Sequence, residues 1–203
     1  MVFFEDILSA EDFGAAVDGL AREYRARHGL PAIDQLGLGV SNVEEAAHTL
    51  QDRGIGPFLI GSGSPLLWRE RGEERSVRGR IGLAYHQGVE LELLEPGEGS
   101  DFYRQSLDSE GRIAVQHLGL WVRDVDEWTE RLNAAGTPTW IQGTIKVGPS
   151  RTEFAYMDAL DETGFIIEFI SCRIFGWSSK PPAGVVRALG RLQRWSGKRR
   201  IPV

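Results

Sequence analysis

Four polar side chains stand in apolar, strand-like surroundings. They are Gln35 in Ile33-Asp34-Gln35-Leu36-Gly37-Leu38-Gly39-Val40, Glu92 in Gly88-Val89-Glu90-Leu91-Glu92-Leu93-Leu94, His117 in Val115-Gln116-His117-Leu118-Gly119-Leu120-Trp121-Val122, and Glu168 in Gly164-Phe165-Ile166-Ile167-Glu168-Phe169-Ile170. One imidazole, two carboxylates and an amide oxygen suit a single divalent cation such as Zn, Ni, Co, Mn or Fe(II), with positions left for water or substrate. Taken singly, the residues say less. His117 alone reads as a hydrogen-bonded pocket histidine, Glu92 as part of a solvated Glu-x-Glu strand with Glu90, and Gln35 as unremarkable. Glu168 is stronger, because an unpartnered carboxylate inside Phe-Ile-Ile-Glu-Phe-Ile would be heavily penalised by desolvation and a cation relieves that penalty.

What joins the four is a repeat. The Gln35 and His117 segments lie 82 residues apart, and the Glu92 and Glu168 segments 76. Each first strand leads through a polar turn, Asn42-Val43 or Asp124-Val125, into an amphipathic helical stretch that ends at Gly54 or Gly136, with Pro57 or Pro138 soon after. Extended candidates follow at 65–70 and 80–85 in the first copy, and at 139–146 and 153–157 in the second. The predicted unit is strand, helix and three strands, twice. If the first and last strands of each unit are neighbours, the four side chains converge from two pseudo-symmetric halves. The glycines two residues beyond Gln35 and His117 then remove bulk on the same face.

The expected organisation is α+β: two pseudo-symmetric βαβββ modules forming a cupped mixed sheet, with helical extensions at both ends. The segments are an N-terminal helical extension over 1–31, a first module over 32–99, a second over 112–173 and a basic C-terminal segment over 180–203. In the N-terminal extension Phe13, Val17, Leu20 and Tyr24 fall on one helical stripe. In the C-terminal one Val185, Leu189 and Leu192 are expected to pack on the body while Arg187, Arg191 and Arg194 face elsewhere.

Composition bounds the alternatives. With 203 residues, 41% hydrophobic and 26% charged, the chain reads as an ordinary globular protein. Its single cysteine, Cys172, excludes paired-thiol redox chemistry and thiolate-only metal clusters within one chain. Residues 180–203 hold seven basic side chains and no acidic ones, so the remainder is more acidic than the net charge of −6 suggests. Such a body argues against nucleic-acid partners. No apolar run reaches membrane-spanning length and the start lacks signal-peptide character, so the expectation is a cytoplasmic protein without a membrane partner. Exposed sheet edges make a homodimer an expected arrangement.

Across residues 32–172 the sequence resembles the vicinal oxygen chelate superfamily of glyoxalases, methylmalonyl-CoA epimerases, extradiol dioxygenases and fosfomycin or bleomycin resistance proteins. The carriers are Ile33-Asp34-Gln35-Leu36-Gly37, Glu92-Leu93-Leu94-Glu95-Pro96, His117-Leu118-Gly119-Leu120 and Gly164-Phe165-Ile166-Ile167-Glu168-Phe169. The resemblance implies a cupped sheet with metal ligands at Gln35, Glu92, His117 and Glu168. It is closest to the epimerase and glyoxalase I branches. A Gln, Glu, His, Glu set looks like some glyoxalase I enzymes, whereas epimerases commonly carry histidine where Gln35 stands.

The implied function is a metal-dependent isomerase or lyase that removes a proton next to a carbonyl through a metal-bound enolate, on a small thioester or 2-oxo compound. Glu168 is the first candidate for a ligand that also moves protons, Glu92 the second, and Glu70 a noncoordinating base, though Glu70 also reads as part of a solvated charged hairpin. An acyl-CoA or a glutathione adduct is the implied substrate class, with Arg69 to Arg80 or the C-terminal basic segment as sources of phosphate contacts. Trp68, Trp121, Phe154 and Tyr156 are candidate pocket walls. The competing readings are a metal-free binding protein acting by sequestration and a ring-cleaving dioxygenase. The second is disfavoured by the single candidate histidine.

Overall fold

Period-two alternation decides which face of each site strand is buried against helices. The computed structural model describes residues 1–196 and the backbone of 201–202. Three short helices, α1 (Phe4–Leu8), α2 (Phe13–Gly19) and α3 (Arg22–His28), lead into a first unit. It comprises β1 (Gln35–Gly39), α4 (Val43–Asp52), β2 (Leu59–Gly63), β3 (Leu67–Glu70), β4 (Glu73–Glu74), β5 (Arg78–His86) and β6 (Val89–Glu98). The second comprises β7 (Ala114–Trp121), α5 (Val125–Ala134), β8 (Thr139–Val147), β9 (Ser150–Met157), the single-turn α6 (Leu160–Thr163) and β10 (Ile166–Ile174). β11 (Trp177–Ser178), α7 (Ala183–Ser196) and β12 (Ile201–Pro202) follow.

The strands form one mixed sheet in the order β12-β2-β5-β6-β1-β7-β10-β9-β8-β3-β4, with β11 added to β10. Within each unit the first strand runs parallel to the last, β1 with β6 and β7 with β10, and the two units join through the antiparallel β1–β7 pair. Leu36 lies opposite Leu118, and these are equivalent positions of the repeat, so a pseudo-twofold passes through that pair. The two βαβββ modules thus build a cupped mixed sheet with helical extensions at both ends.

Leu36, Leu38, Leu91, Leu93, Leu118, Leu120, Ile167 and Phe169 point away from the cup into one core with Val43, Ala47, Leu50, Val125 and Leu132 of the two helices. Burial of each such side chain contributes about 1.5–3 kcal/mol. Asn42 caps α4 by accepting from the amides of Glu44 and Glu45, and Asp124 caps α5 through Glu127. Beyond each helix the chain turns through a left-handed glycine, Gly54 or Gly136. Ile55 and Thr137 bond back to Leu50 and Leu132 in the Schellman pattern.

Three expectations are corrected. The strand completing the first unit is β2 at 59–63, while the candidate at 65–70 becomes β3, which crosses to pair with β8 of the second unit. The N-terminal stripe is broken between α2 and α3, where Leu20 is extended and Ala21 left-handed, although Phe13, Val17 and Tyr24 are all buried. In α7 the buried face is Val186, Gly190 and Gln193, whereas Val185, Leu189 and Leu192 stand 51%, 40% and 55% exposed. The reason is backbone pairing: the Gln193 amide accepts from Ile60 N and donates to Ile60 O, both at 2.8 Å, and clamps strand β2. Gly190 lets the helix come close, since a Cβ there would lie 3.0 Å from the Phe58 carbonyl oxygen. Of the basic C-terminal residues, Lys198, Arg199 and Arg200 lie outside the described residues. Among the described residues no helix is long and apolar enough to cross a membrane.

Candidate metal centre

The concave face holds what the alternation leaves there: Gln35 from β1, Glu90 and Glu92 from β6, His117 from β7 and Glu168 from β10. The pseudo-twofold brings the repeat-equivalent residues together. His117 Nε2 lies 3.0 Å from Glu168 Oε2, 3.6 Å from Glu92 Oε2 and 3.4 Å from Gln35 Oε1. The donor atoms of Glu92, His117 and Glu168 all fall within 4.8 Å of one another. His117 is fully buried, Gln35 and Glu168 are nearly so, and 13% of the Glu92 side chain is exposed. Opposite each of the two seam residues stands a glycine from the other strand, Gly119 across from Gln35 and Gly37 across from His117. A Cβ on Gly119 would sit 2.6 Å from Gln35 Oε1. The glycines therefore clear space for the partner module's side chain, not for their own strand's.

The protonation pattern follows from the hydrogen bonds. His117 Nδ1 lies 2.8 Å from Gln116 Oε1, an oxygen that can only accept, so Nδ1 donates there and Nε2 is the nitrogen turned to the cluster. On the other side the Gln35 amide nitrogen donates to Glu90 Oε1 at 2.8 Å, which turns Gln35 Oε1 inward. Glu168 Oε2 is buried without a hydrogen-bond partner. Four donor atoms thus face one point, with the unpartnered Glu168 oxygen among them, an arrangement that a cation stabilises. Separations of 3.0–3.6 Å are those expected of donors about 2.1 Å from a common ion. The residues fit a divalent metal.

Electrostatics point the same way. Burial pushes the Glu92 carboxyl well above the ordinary range, with Glu168 and then Glu90 adding to the shift. Glu90 is raised by burial, and hydrogen bonds from Tyr85 and Gln35 and the Lys180 charge pull it back. Over the cluster lie Tyr103 and Tyr156, whose hydroxyls are 3.4 Å apart; burial holds both phenols well above the ordinary tyrosine range. The Tyr156 ring packs against His117 with centroids 5.1 Å apart.

These tyrosines belong to a second core of Trp68, Phe102, Phe154, Ile141 and Ile166, with Trp140 against it, which covers the cup from the inside. Of the anticipated wall residues, Trp68, Phe154 and Tyr156 are in this cover. Trp121 is elsewhere, beneath Lys180 at 5.5 Å. Phe102 and Tyr103 come from the connection between the modules.

Glu70 is not brought into the cluster. It accepts from Ser100 Oγ at 2.8 Å and Trp68 Nε1 at 3.5 Å and pairs with Arg75 at 3.7 Å, and none of these partners belongs to the four. The neighbouring arginines are also committed: Arg69 to Glu74, Arg71 to Asp158 and Arg80 to Glu95.

Sequence reasoning missed Glu90, Gln116, Tyr85 and Tyr103. Glu90 was legible in one respect: Leu91 and Leu93 alternate with Glu90 and Glu92, and both carboxylates must then share a face. Gln116 was not, because it reaches the histidine beside it through a bulge that shifts the β1–β7 register between Gly37 and Leu38.

A family model of the glyoxalase/bleomycin resistance protein/dioxygenase superfamily matches residues 34–156. No curated protein matches the chain. Among solved structures, the methylmalonyl-CoA epimerase of Mycobacterium tuberculosis is similar over 71% of this chain and 93% of that one, at 18% identity and a TM-score of 0.45. A Streptomyces coelicolor methylmalonyl-CoA epimerase variant in complex with 2-nitronate-propionyl-CoA is similar over 68% and 94%, at 16% identity and 0.45. A hypothetical protein from Bacillus halodurans is similar over 68% and 91%, at 14% identity and 0.43.

Proposed function

The chain belongs to the glyoxalase/bleomycin resistance protein/dioxygenase superfamily, and from that premise we propose that it is a metal-dependent isomerase or lyase that moves a proton on carbon adjacent to a carbonyl. The observation that carries this reading is the convergence of Gln35 Oε1, Glu92 Oε2, His117 Nε2 and Glu168 Oε2 on one point. These four residues would hold a divalent ion, which when bound supplies a Lewis acid for a carbonyl oxygen that gains negative charge. Three oxygen donors and one nitrogen suit Zn, Ni, Co, Mn or Fe(II).

The chain's own groups do the rest. Glu168, buried and lacking a hydrogen-bond partner at Oε2, is assigned the proton transfer, with Glu92 as the second carboxylate. Trp68, Phe102 and Phe154 exclude water from the reacting carbon, which strengthens every charge interaction inside. Tyr103 and Tyr156, held neutral by burial, offer hydroxyl donors to a substrate oxygen. The substrate class is a small thioester or 2-oxo compound, such as an acyl-CoA or a glutathione hemithioacetal.

The test is elemental analysis of protein purified without added metal, with His117→Ala beside it, followed by exchange of substrate carbon-bound hydrogen with deuterated solvent. About one ion per chain, lost in the variant, with exchange on one of these substrates, supports the reading. Absence of metal after reconstitution would sink it in favour of ligand sequestration.

A further inference from the structure

We propose that Glu90 is a positioning residue that fixes the Gln35 amide with its oxygen toward the cation site; the inference rests on the metal-dependent reading above. A glutamine tip carries an acceptor and a donor of nearly the same shape. Turned the other way, it would present N–H hydrogens to a cation and to His117 Nε2. Without the ion the cluster side does not prevent this, since the carboxylate oxygens there can accept those hydrogens.

The decision is made on the outer side. Glu90 is 4% exposed and uses both oxygens as acceptors, one from the Gln35 amide nitrogen at 2.8 Å and the other from the Tyr85 hydroxyl. The Tyr85 hydroxyl, whose one proton goes to Glu90, also lies 3.2 Å from the Pro181 carbonyl oxygen. Lys180, the residue before Pro181, bonds at 2.8 Å to Asp34, the residue before Gln35. The amide is therefore gripped from outside by Glu90, which Tyr85 holds in turn, while the bond from Lys180 to Asp34 braces the residue before Gln35. A carboxylate so deeply buried is costly, and packing alone would be better served by an apolar residue. Its bond to Gln35 gives the cost a use, as partners of metal ligands commonly do.

The experiment is titration of the full metal-free chain with Co(II) and Zn(II), by visible absorption and by chelator competition, in five forms: unaltered, Glu90→Leu, Glu90→Gln, and Gln35→Leu with and without Glu90→Leu. Glu90→Leu is expected to weaken binding about tenfold, within the range for such partners. Glu90→Gln keeps an acceptor for the amide and is expected to stay within about threefold of the unaltered chain. In the Gln35→Leu background, Glu90→Leu is expected to add nothing.

Equal losses from Glu90→Leu and Glu90→Gln, additive with Gln35→Leu, would show that the negative charge acts directly and would overturn the proposal. So would an unchanged Kd in Glu90→Leu. If Glu90→Leu does not fold, Tyr85→Phe tests the same grip. A several-fold loss absent from the Gln35→Leu background supports the proposal, and no loss overturns it. Failure of the unaltered chain to bind either ion defeats the metal reading and this inference together, whereas binding that ignores Glu90 defeats this one alone.

Discussion

Gly37 faces His117 across the β1–β7 seam so closely that a Cβ on Gly37 would lie 2.0 Å from the imidazole Cε1. The atom it would strike sits on a fully buried, hydrogen-bonded ring with no free direction to move. Gly37→Ala is therefore expected to displace the histidine, costing about 1–3 kcal/mol as overpacking and weakening metal binding at least tenfold. Thermal melting and a Co(II) titration check both. A variant that binds Co(II) normally would show that the ring sits elsewhere.

Glu92 makes the metal-free protein sensitive to pH. Its folded pKa is raised above the ordinary value of 4.5, so it favours the folded state below that value, and this stability is lost as pH rises through the raised value. Metal-free protein is expected to melt progressively lower from pH 5 upward, and Glu92→Gln to flatten the slope. Saturating divalent metal is expected to reverse the trend, because it favours the ionised carboxylate. Melting curves across pH, with and without the ion, decide the matter.

Glu70 is anchored to Ser100 and Arg75, away from the cluster's bonds. Glu70→Gln is expected to leave metal affinity within about twofold of the unaltered chain. A tenfold loss would make Glu70 part of the cluster after all.

The Trp68 side chain packs against Phe102, Tyr103 and Phe154 and is nearly buried. Trp68→Ala is expected to destabilise the fold by about 3–5 kcal/mol and to admit water above the site. Chemical denaturation gives the first quantity, and faster metal loss to a chelator reports the second.

On α7, Gln193→Ala removes two hydrogen bonds to Ile60 and should cost about 1–3 kcal/mol, whereas Leu192→Ser on the outward face should change stability by less than about 0.5 kcal/mol. The reverse ranking would mean that the helix packs by its apolar stripe.

That last pair marks where sequence reasoning stops. The repeat, the two modules and the meeting of Gln35, Glu92, His117 and Glu168 were legible because each is a local pattern copied twice, and pseudo-symmetry supplies the missing long-range geometry. The face of α7 was not legible. An apolar stripe normally seeks the core, but one glutamine with two backbone bonds and one glycine outweighed it. The destination of β3 was equally hidden, since strand propensity in Leu67–Glu70 says nothing about which edge the strand will join. Gln116 escaped because alternation assigns adjacent residues to opposite faces, and only a bulge breaks that rule.

The crossing of β3 also changes what a half of this protein is. Leu67, Trp68, Arg69 and Glu70 pair with Thr144, Gly143, Gln142 and Ile141, so the first module lends a strand to the far edge of the second. The phenyl ring of Phe154 lies over Gly143, the residue opposite Trp68, and locks the loan with aromatic packing. Cutting the chain in the connection at 99–113 would consequently leave two fragments hooked through a borrowed edge as well as through the central seam. Fragments cut there are expected to reassemble on co-expression. A single module expressed alone would expose either an unclaimed arm or an open edge, which favours aggregation over folding.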